Sequence, residues 1–376
     1  MKIIIAPDSF KGSMTAAQAC AVVSAGALLA VPDAEVVCVP MADGGEGTVQ
    51  SLIDGLGGTF VSCEVDDPLG RPHTAVYGLT HDGMAVIEMA QASGLLLLAE
   101  GERDPLVTST YGTGQLIKDA LDQGARRFII GIGGSATNDG GAGMAQALGY
   151  GFFDENGDEP ARGGGALAGL ARIDASGADE RLSACRFTVA CDVDNPLLGP
   201  CGASAVFGPQ KGATPEKVDM LEEALSNFAY RLREDMGKDV AGIPGAGAAG
   251  GLGAGCLAFL GAELKRGVDI VIEATGLKEK IKGADLVISG EGRTDSQTLG
   301  GKTVYGILKL AEALSVPVIV ISGSLTKDAD ELLKHGAVGL FSIMEEGVTL
   351  EKAMEEGPAL LEQRAEKAVR EFALST

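Results

Sequence analysis

The sequence predicts an α/β protein built from two α/β domains, one Rossmann-like with a largely parallel sheet and one inserted into it. Three observations carry that expectation. Short apolar runs rich in β-branched residues recur along the chain, helical patterns alternate with them, and polar residues cluster directly after several runs. Runs of this kind are strands buried on both faces. Their alternation with helices is the pattern of parallel sheets. Ligands of open α/β sheets bind outside the carboxyl ends of the strands, where these polar residues stand.

In chain order the runs are 2–8 (KIIIAPD), 35–40 (EVVCVP), 127–132 (RFIIGI), 186–192 (RFTVACD), 284–290 (ADLVISG), 317–323 (PVIVISG) and 337–343 (AVGLFSI). The helical patterns cover 15–30, 112–123, 140–149, 215–236, 302–314, 327–335 and 350–372. Residues 73–79 and 84–90 predict a hairpin instead, because the Asp82-Gly83 pair between them is a favoured tight turn. The first two strands and the last three belong to one sheet, while the hairpin and the glycine-rich middle belong to another. The expected division is a discontinuous Rossmann-like domain, 1–70 plus 275–376, with an inserted α/β domain at 71–274.

Length and composition agree with two globular domains and narrow the partners. The chain has 376 residues and a formal charge of −22, a field that repels nucleic acid and acidic membranes. An anionic ligand therefore needs a local cluster of donors. Seven cysteines without a C-x-x-C pair, and only three histidines, argue against zinc and for reduced thiols in a cytoplasmic protein. The opening MKIIIAPDSF is too short an apolar run for a signal peptide or membrane span. The sequence is silent on oligomeric state.

Five glycine-rich segments hold most of the chemistry-bearing residues. GIGGSATNDGGAGM (131–144) follows a strand and opens a helix. Its bare backbone and the helix N-terminus together suit a phosphate, with Asn138 and Asp139 as caps and Ser135 as a hydroxyl donor. APDSFKGS (6–13) places Asp8, Ser9 and Lys11 after the first strand, before a helix capped at Ser13 or Thr15. PMADGGEGT (40–48) offers Asp43 and Glu46 to a metal or a sugar-like hydroxyl. GAGAAG (245–250) matches the dinucleotide pattern, but Pro244 precedes it and no strand does. SQTLGGKT (296–303) has Ser296 where a P-loop needs glycine; Lys302 and Thr303 either touch phosphate or start a helix.

RFTVACDVDNPLLG sets Asp192 and Asp194 at a strand end, on one face if extension persists, and either is a candidate base for a hydroxyl. Arg71 in DDPLGRP and Arg293 in GEGRTD are candidates for a carboxylate fork. The histidines show no pattern.

Taken in order, APDSFKGS, PMADGGEGT, GGSATNDGG, CDVDNPLLG, FGPQKGA and SGEGRTD resemble the class I bacterial glycerate kinases along nearly the whole chain. That resemblance implies a two-domain kinase with its active site in an interdomain cleft, ATP and Mg²⁺ as cofactors, and D-glycerate as acceptor. It also implies 2-phospho-D-glycerate as product, within glucarate, galactarate or glyoxylate breakdown. Residues and resemblance together assign Gly133, Gly134, Ser135, Asn138 and Glu291 to ATP. Ser9, Asp43, Arg71 and Arg293 are assigned to glycerate, and Asp8, Lys11 and Asp192 to catalysis. Asp192 accepts the hydroxyl proton or, with Asp295, holds Mg²⁺. Two other readings stay open at this level: an NAD-dependent dehydrogenase of a small hydroxy acid, and a non-catalytic binder of small acids.

Overall fold

The structure is a computed structural model that describes all residues except 46, 296–297, 299–301, 346 and 376. Two expected features, Glu46 and the Ser296 end of SQTLGGKT, lie outside the described residues. The chain forms two compact units. The first comprises Met1–Asp43, Gln50–Gly57 and Val268–Thr376, and the second Gly44–Val49 and Gly58–Gly267. The sequence reading divides the chain at 70/71 and 274/275 instead. The difference near residue 58 has a clear cause. The strand Gly58–Asp66, which no continuous apolar run announces, pairs antiparallel with Pro72–Thr80 over its full length and so belongs with the hairpin.

The first unit has a five-stranded parallel sheet. Its strands run Ala337–Ser342, Val318–Ser322, Leu286–Ser289, Lys2–Ile5 and Glu35–Cys38. Counted in chain order within the unit, this is the 2-1-3-4-5 order of doubly wound sheets. Ile3, Ile5, Leu286, Ile288, Ile319 and Ile321 are buried against the helices Ala16–Ala30 and Gly357–Ser375. Those helices pack closely at Gly26, where a Cβ would stand 2.3 Å from the Glu362 carbonyl oxygen. The first helix starts at Thr15 in a capping box: Thr15 Oγ1 accepts from the Gln18 amide and Gln18 Oε1 from the Thr15 amide. The helical pattern at 350–372 divides into Leu350–Glu355 and Gly357–Ser375, because Pro358 has no amide with which to continue the first segment. Residues Lys327–His335 form 3₁₀ rather than α-helix.

The second unit has a mixed six-stranded sheet in the order Glu263–Lys265, Arg186–Ala190, Arg127–Gly131, Met84–Glu88, Pro72–Thr80 and Gly58–Asp66. The pairings among the first four of these strands are parallel and the hairpin pairings antiparallel. Gly83 takes φ +77° in the hairpin turn, a conformation glycine adopts without strain. Ile87, Phe128, Ile130 and Val189 pack with Leu116 and Ile117 of the helix Tyr111–Asp122 and with Leu252 of the helix Ala248–Phe259. No helix among the described residues is long and apolar enough to cross a membrane.

Candidate active site

In the first unit, strand order marks a candidate ligand crevice. A doubly wound sheet binds ligands where the connections on either side of a strand run in opposite directions, here between Lys2–Ile5 and Leu286–Ser289. The loops leaving those strands meet there. The Asp8 amide donates to the Gly290 carbonyl at 2.8 Å and the Met41 amide to the Pro7 carbonyl at 3.0 Å. A Cβ on Gly292 would come within 3.3 Å of the Lys11 amide nitrogen, so the 290–293 loop runs against the 8–11 loop.

Asp8 is the centre of this cluster. Its Oδ1 accepts from the Ser9 amide at 2.6 Å and its Oδ2 from Thr303 Oγ1 at 2.6 Å. Burial raises its pKa to about 6, helped by the Asp43 charge and opposed by the hydrogen bonds and by Lys11. The structure thus brings Asp8, Ser9, Lys11 and Asp43 together, as the sequence reading expects. Thr303 joins them across 295 residues of chain, as an orienter of Asp8.

Glu291 is nearby but differently employed. It is buried, and its Oε1 accepts from Thr298 Oγ1 at 2.7 Å and Thr294 Oγ1 at 3.0 Å, while Thr294 also hydrogen-bonds to Ser322. Burial holds its pKa above the usual range. This carboxylate ties Thr294 and Thr298 together through one oxygen. Arg293 is exposed, and its Nε lies 3.3 Å from Asp295 Oδ2.

In the second unit, the glycine-rich loop behaves in two ways. Gly133 and Gly134 are exposed. With Gly44, Gly45, Glu88 and Leu96 they line a cavity of about 460 Å³, within the usual size of a small-molecule site. The bare backbone is required there, since a Cβ on Gly44 would stand 2.7 Å from both Ala190 Cβ and Gly267 Cα. Glu88 Oε1 accepts from the Val49 amide. Leu96, 89% exposed, presents an apolar face at the cavity.

The remainder of the loop turns inward. Asn138 is fully buried and its Nδ2 donates to Ser204 Oγ at 3.1 Å; Ser135 is buried too, and neither lines the cavity. Nor are the helix amides open to an anion. Asp139 accepts from the Gly141 and Gly143 amides at the start of Ala142–Ala147, and from the Thr110 amide before Tyr111–Asp122. The protein's own carboxylate thus fills the place where the sequence reading puts phosphate. Lys211, from FGPQKGA, is buried beneath this loop, with its Nζ donating to the Thr137 carbonyl at 2.7 Å. Burial lowers its pKa to about 7, against the pull of Asp139.

Arg71 is not an open fork. Its Nε pairs with Asp67 at 2.5 Å and its Nη1 with Glu102 at 2.7 Å. Asp192 is exposed just beyond Arg186–Ala190, and its Oδ1 accepts from the Gly267 amide at 3.0 Å. Strand geometry ends at Ala190, so the alternation that would align Asp192 with Asp194 does not extend to them. Asp192 and Asp295 belong to different units. Among the described residues no group of three or more His, Cys, Asp or Glu is gathered as a metal site. Magnesium nonetheless needs only one or two carboxylates beside phosphate and water, which an exposed Asp192 fits.

The GAGAAG segment serves packing. Its Gly247 and Gly250 would carry Cβ atoms 2.1 Å from the Pro196 carbonyl oxygen and 2.0 Å from that of Thr137. The backbone behind the 131–144 loop needs that closeness, which removes the reason to read these glycines as a dinucleotide turn. Sequence reasoning missed Glu88, Gln91, Leu96 and His73 at the cavity. Glu88 had a signal, an acid at the end of an apolar strand; the others had none.

The chain is similar to glycerate kinases along nearly its whole length. The model of the glycerate kinase family matches residues 3–373. A glycerate kinase of Halalkalibacterium halodurans is 54% identical over 364 residues, covering 96% of each chain. The glycerate 2-kinase of Escherichia coli K12 is 50% identical over 94% of this chain and 93% of its own. A crystal structure from Salmonella typhimurium LT2, provisionally named glycerate kinase 2, superposes with a TM-score of 0.93 at 48% identity, covering 100% of this chain and 99% of that one. A match of this extent, over both units and every quoted motif, places the chain in the glycerate kinase family.

Proposed function

We propose that the chain transfers the γ-phosphoryl group of ATP to the 2-hydroxyl of D-glycerate, giving 2-phospho-D-glycerate, in cytoplasmic breakdown of glucarate, galactarate or glyoxylate. The observation that supports it most is Asp8, a carboxylate fixed on both oxygens at the switch point of the first unit's sheet. Phosphoryl transfer asks for positioning, charge neutralisation and a group that takes the hydroxyl proton. In this reading Asp8 takes that proton, Lys11 neutralises charge, Ser9 and Asp43 hold the hydroxyls, and Arg293 grips the carboxylate. The cavity of the second unit takes the nucleotide, with Gly133 and Gly134 giving the phosphates a backbone without side chains. Mg²⁺, when bound with ATP, supplies charge neutralisation at the phosphates, and Asp192 is the carboxylate proposed to hold it. Incubation with Mg-ATP and D-glycerate, followed by phosphorus NMR of the product, tests the reading. A 3-phosphate product, or no product, overturns it.

Two further outcomes follow. Leu96→Asp is expected to raise the KM for ATP about tenfold, since apolar contact with a base is worth over 1 kcal/mol. The KM for glycerate should stay within about twofold. An unchanged KM for ATP would remove the cavity from the nucleotide role. The two arginines should also separate. Arg293→Met is expected to raise the KM for glycerate about tenfold or more, the worth of a charge-assisted pair, and Arg71→Met less than about threefold. Steady-state kinetics on both variants checks this, and the reverse ranking would restore Arg71 as the clamp.

A further inference from the structure

Two cysteines of the first unit lie on neighbouring elements, the helix Ala16–Ala30 and the strand Glu35–Cys38. Cys38 ends the strand Glu35–Cys38, opposite Ile5, and is exposed. Cys20, on the helix Ala16–Ala30, is buried against the strand Lys2–Ile5 beside it. Cys20 Sγ lies 3.6 Å from the Ile5 carbonyl oxygen, and Cys38 Sγ 3.6 Å from the Cys20 carbonyl oxygen. Ile5 is the parallel-strand partner of Cys38, so both sulfurs sit in the same seam between the helix and the sheet edge.

We propose that Cys38 is a modification site for hydroperoxides and that Cys20 is its resolving partner, so that oxidation closes a disulfide between helix and strand. Reactivity of a thiol follows its thiolate fraction and its access to solvent. Cys38 has both. The hydrogen bond from Cys20, followed by that from Ser24, lowers its pKa to about 7 against the effect of burial. Burial raises the thiols of Cys63, Cys185, Cys191 and Cys256 instead.

The chemistry balances with a hydroperoxide as the sole co-reactant. The Cys38 thiolate attacks one peroxide oxygen, the O–O bond breaks, and the departing oxygen leaves as hydroxide or alkoxide and takes up a proton. Sulfur is oxidised by two electrons to sulfenic acid, and the peroxide is reduced. Cys20 sulfur then attacks the Cys38 sulfur. The S–O bond breaks, and the hydroxyl leaves as water with the Cys20 proton. The new bond ties together the two elements that flank the Asp8 loop and lead to Asp43.

The test treats the full chain with hydrogen peroxide and maps its thiols by mass spectrometry without reductant. The wild type is expected to lose two of its seven thiols, to yield a linked Cys20–Cys38 peptide, and to recover both on addition of dithiothreitol. Cys20→Ser should accumulate a dimedone-reactive sulfenic acid on Cys38. Cys38→Ser should yield no linked peptide and lose thiols at least about tenfold more slowly. Retention of all seven thiols by the wild type, or oxidation of other cysteines while Cys20 and Cys38 remain reduced, would overturn the proposal.

Discussion

Asp8→Asn is expected to lower kcat by about a hundredfold or more and, at the same time, to make the fold more stable at pH 8. The first effect follows from geometry. Asp8 is held by the Ser9 amide and by Thr303, so an amide of the same shape fits the site but has no lone pair basic enough to take a hydroxyl proton. The second follows from its pKa, raised from 3.8 to about 6 chiefly by burial. The folded chain binds this proton more tightly than the unfolded chain. The resulting stabilisation is complete below about pH 4 and is lost as pH rises through about 6. At pH 8 the ionised group costs the fold on the order of 2 kcal/mol, allowing for partial solvation of the site. Asparagine carries no such cost. Denaturant midpoints should therefore favour the variant at pH 8 and converge at pH 4, while the wild-type kcat/KM falls as pH drops through about 6. A variant with near-normal turnover would remove Asp8 as the base and return that role to Asp192.

The same residue shows how much of the site could be read without coordinates. Strands such as Lys2–Ile5 and Leu286–Ser289 are buried on both faces, so they appear in the sequence as unbroken apolar runs, and the polar residues after them mark their carboxyl ends. Asp8, Ser9 and Lys11 were legible for that reason, whereas Asp43 follows the partly exposed edge strand Glu35–Cys38 and was read from its glycine-rich turn. Thr303 was not, because its part depends on where a distant helix begins. Gly58–Asp66 was missed because its mixed, half-exposed residues give neither an apolar run nor a clean alternation. Ala248–Phe259 was missed because four of its twelve residues are glycine, and Gly250 and Gly251 take left-handed backbone at a kink near its start, which interrupts any helical pattern. Asn138 misled for another reason. A polar residue among glycines suits a ligand, but it equally suits an internal partner, and Ser204 supplies one. Composition cannot distinguish a loop that binds an anion from one that already contains its own.

Asp139 is that internal anion, and Asp139→Ala is expected to be the most destabilising single change in the second unit. Its carboxylate is 1% exposed and accepts from five donors: the amides of Thr110, Gly141 and Gly143, and the hydroxyls of Thr110 and Ser109. Those hydroxyls are committed to donating. Thr110 Oγ1 accepts from the Met144 amide, and Ser109 Oγ from the Tyr111 amide. One carboxylate thus joins the starts of two helices, and alanine would leave these donors buried with no acceptor. It would also remove the charge beside Lys211, whose remaining contact is the Thr137 carbonyl. Leaving such groups unpaired costs about 3–5 kcal/mol, a large part of a typical folding stability of about 5–15 kcal/mol. For a unit of this size the thermal midpoint should fall by roughly 10 °C. Asp139→Asn, which keeps one acceptor oxygen, should lose about half as much. If Lys211 owes its place to this charge, Lys211→Met added to Asp139→Asn should cost less than the two changes made separately, by about 1 kcal/mol or more. Calorimetry on the two single variants and the double variant reads that difference. Additive losses would make the lysine a support of the Thr137 carbonyl alone, and an unchanged midpoint in Asp139→Ala would mean that the two helix starts hold without a shared acceptor.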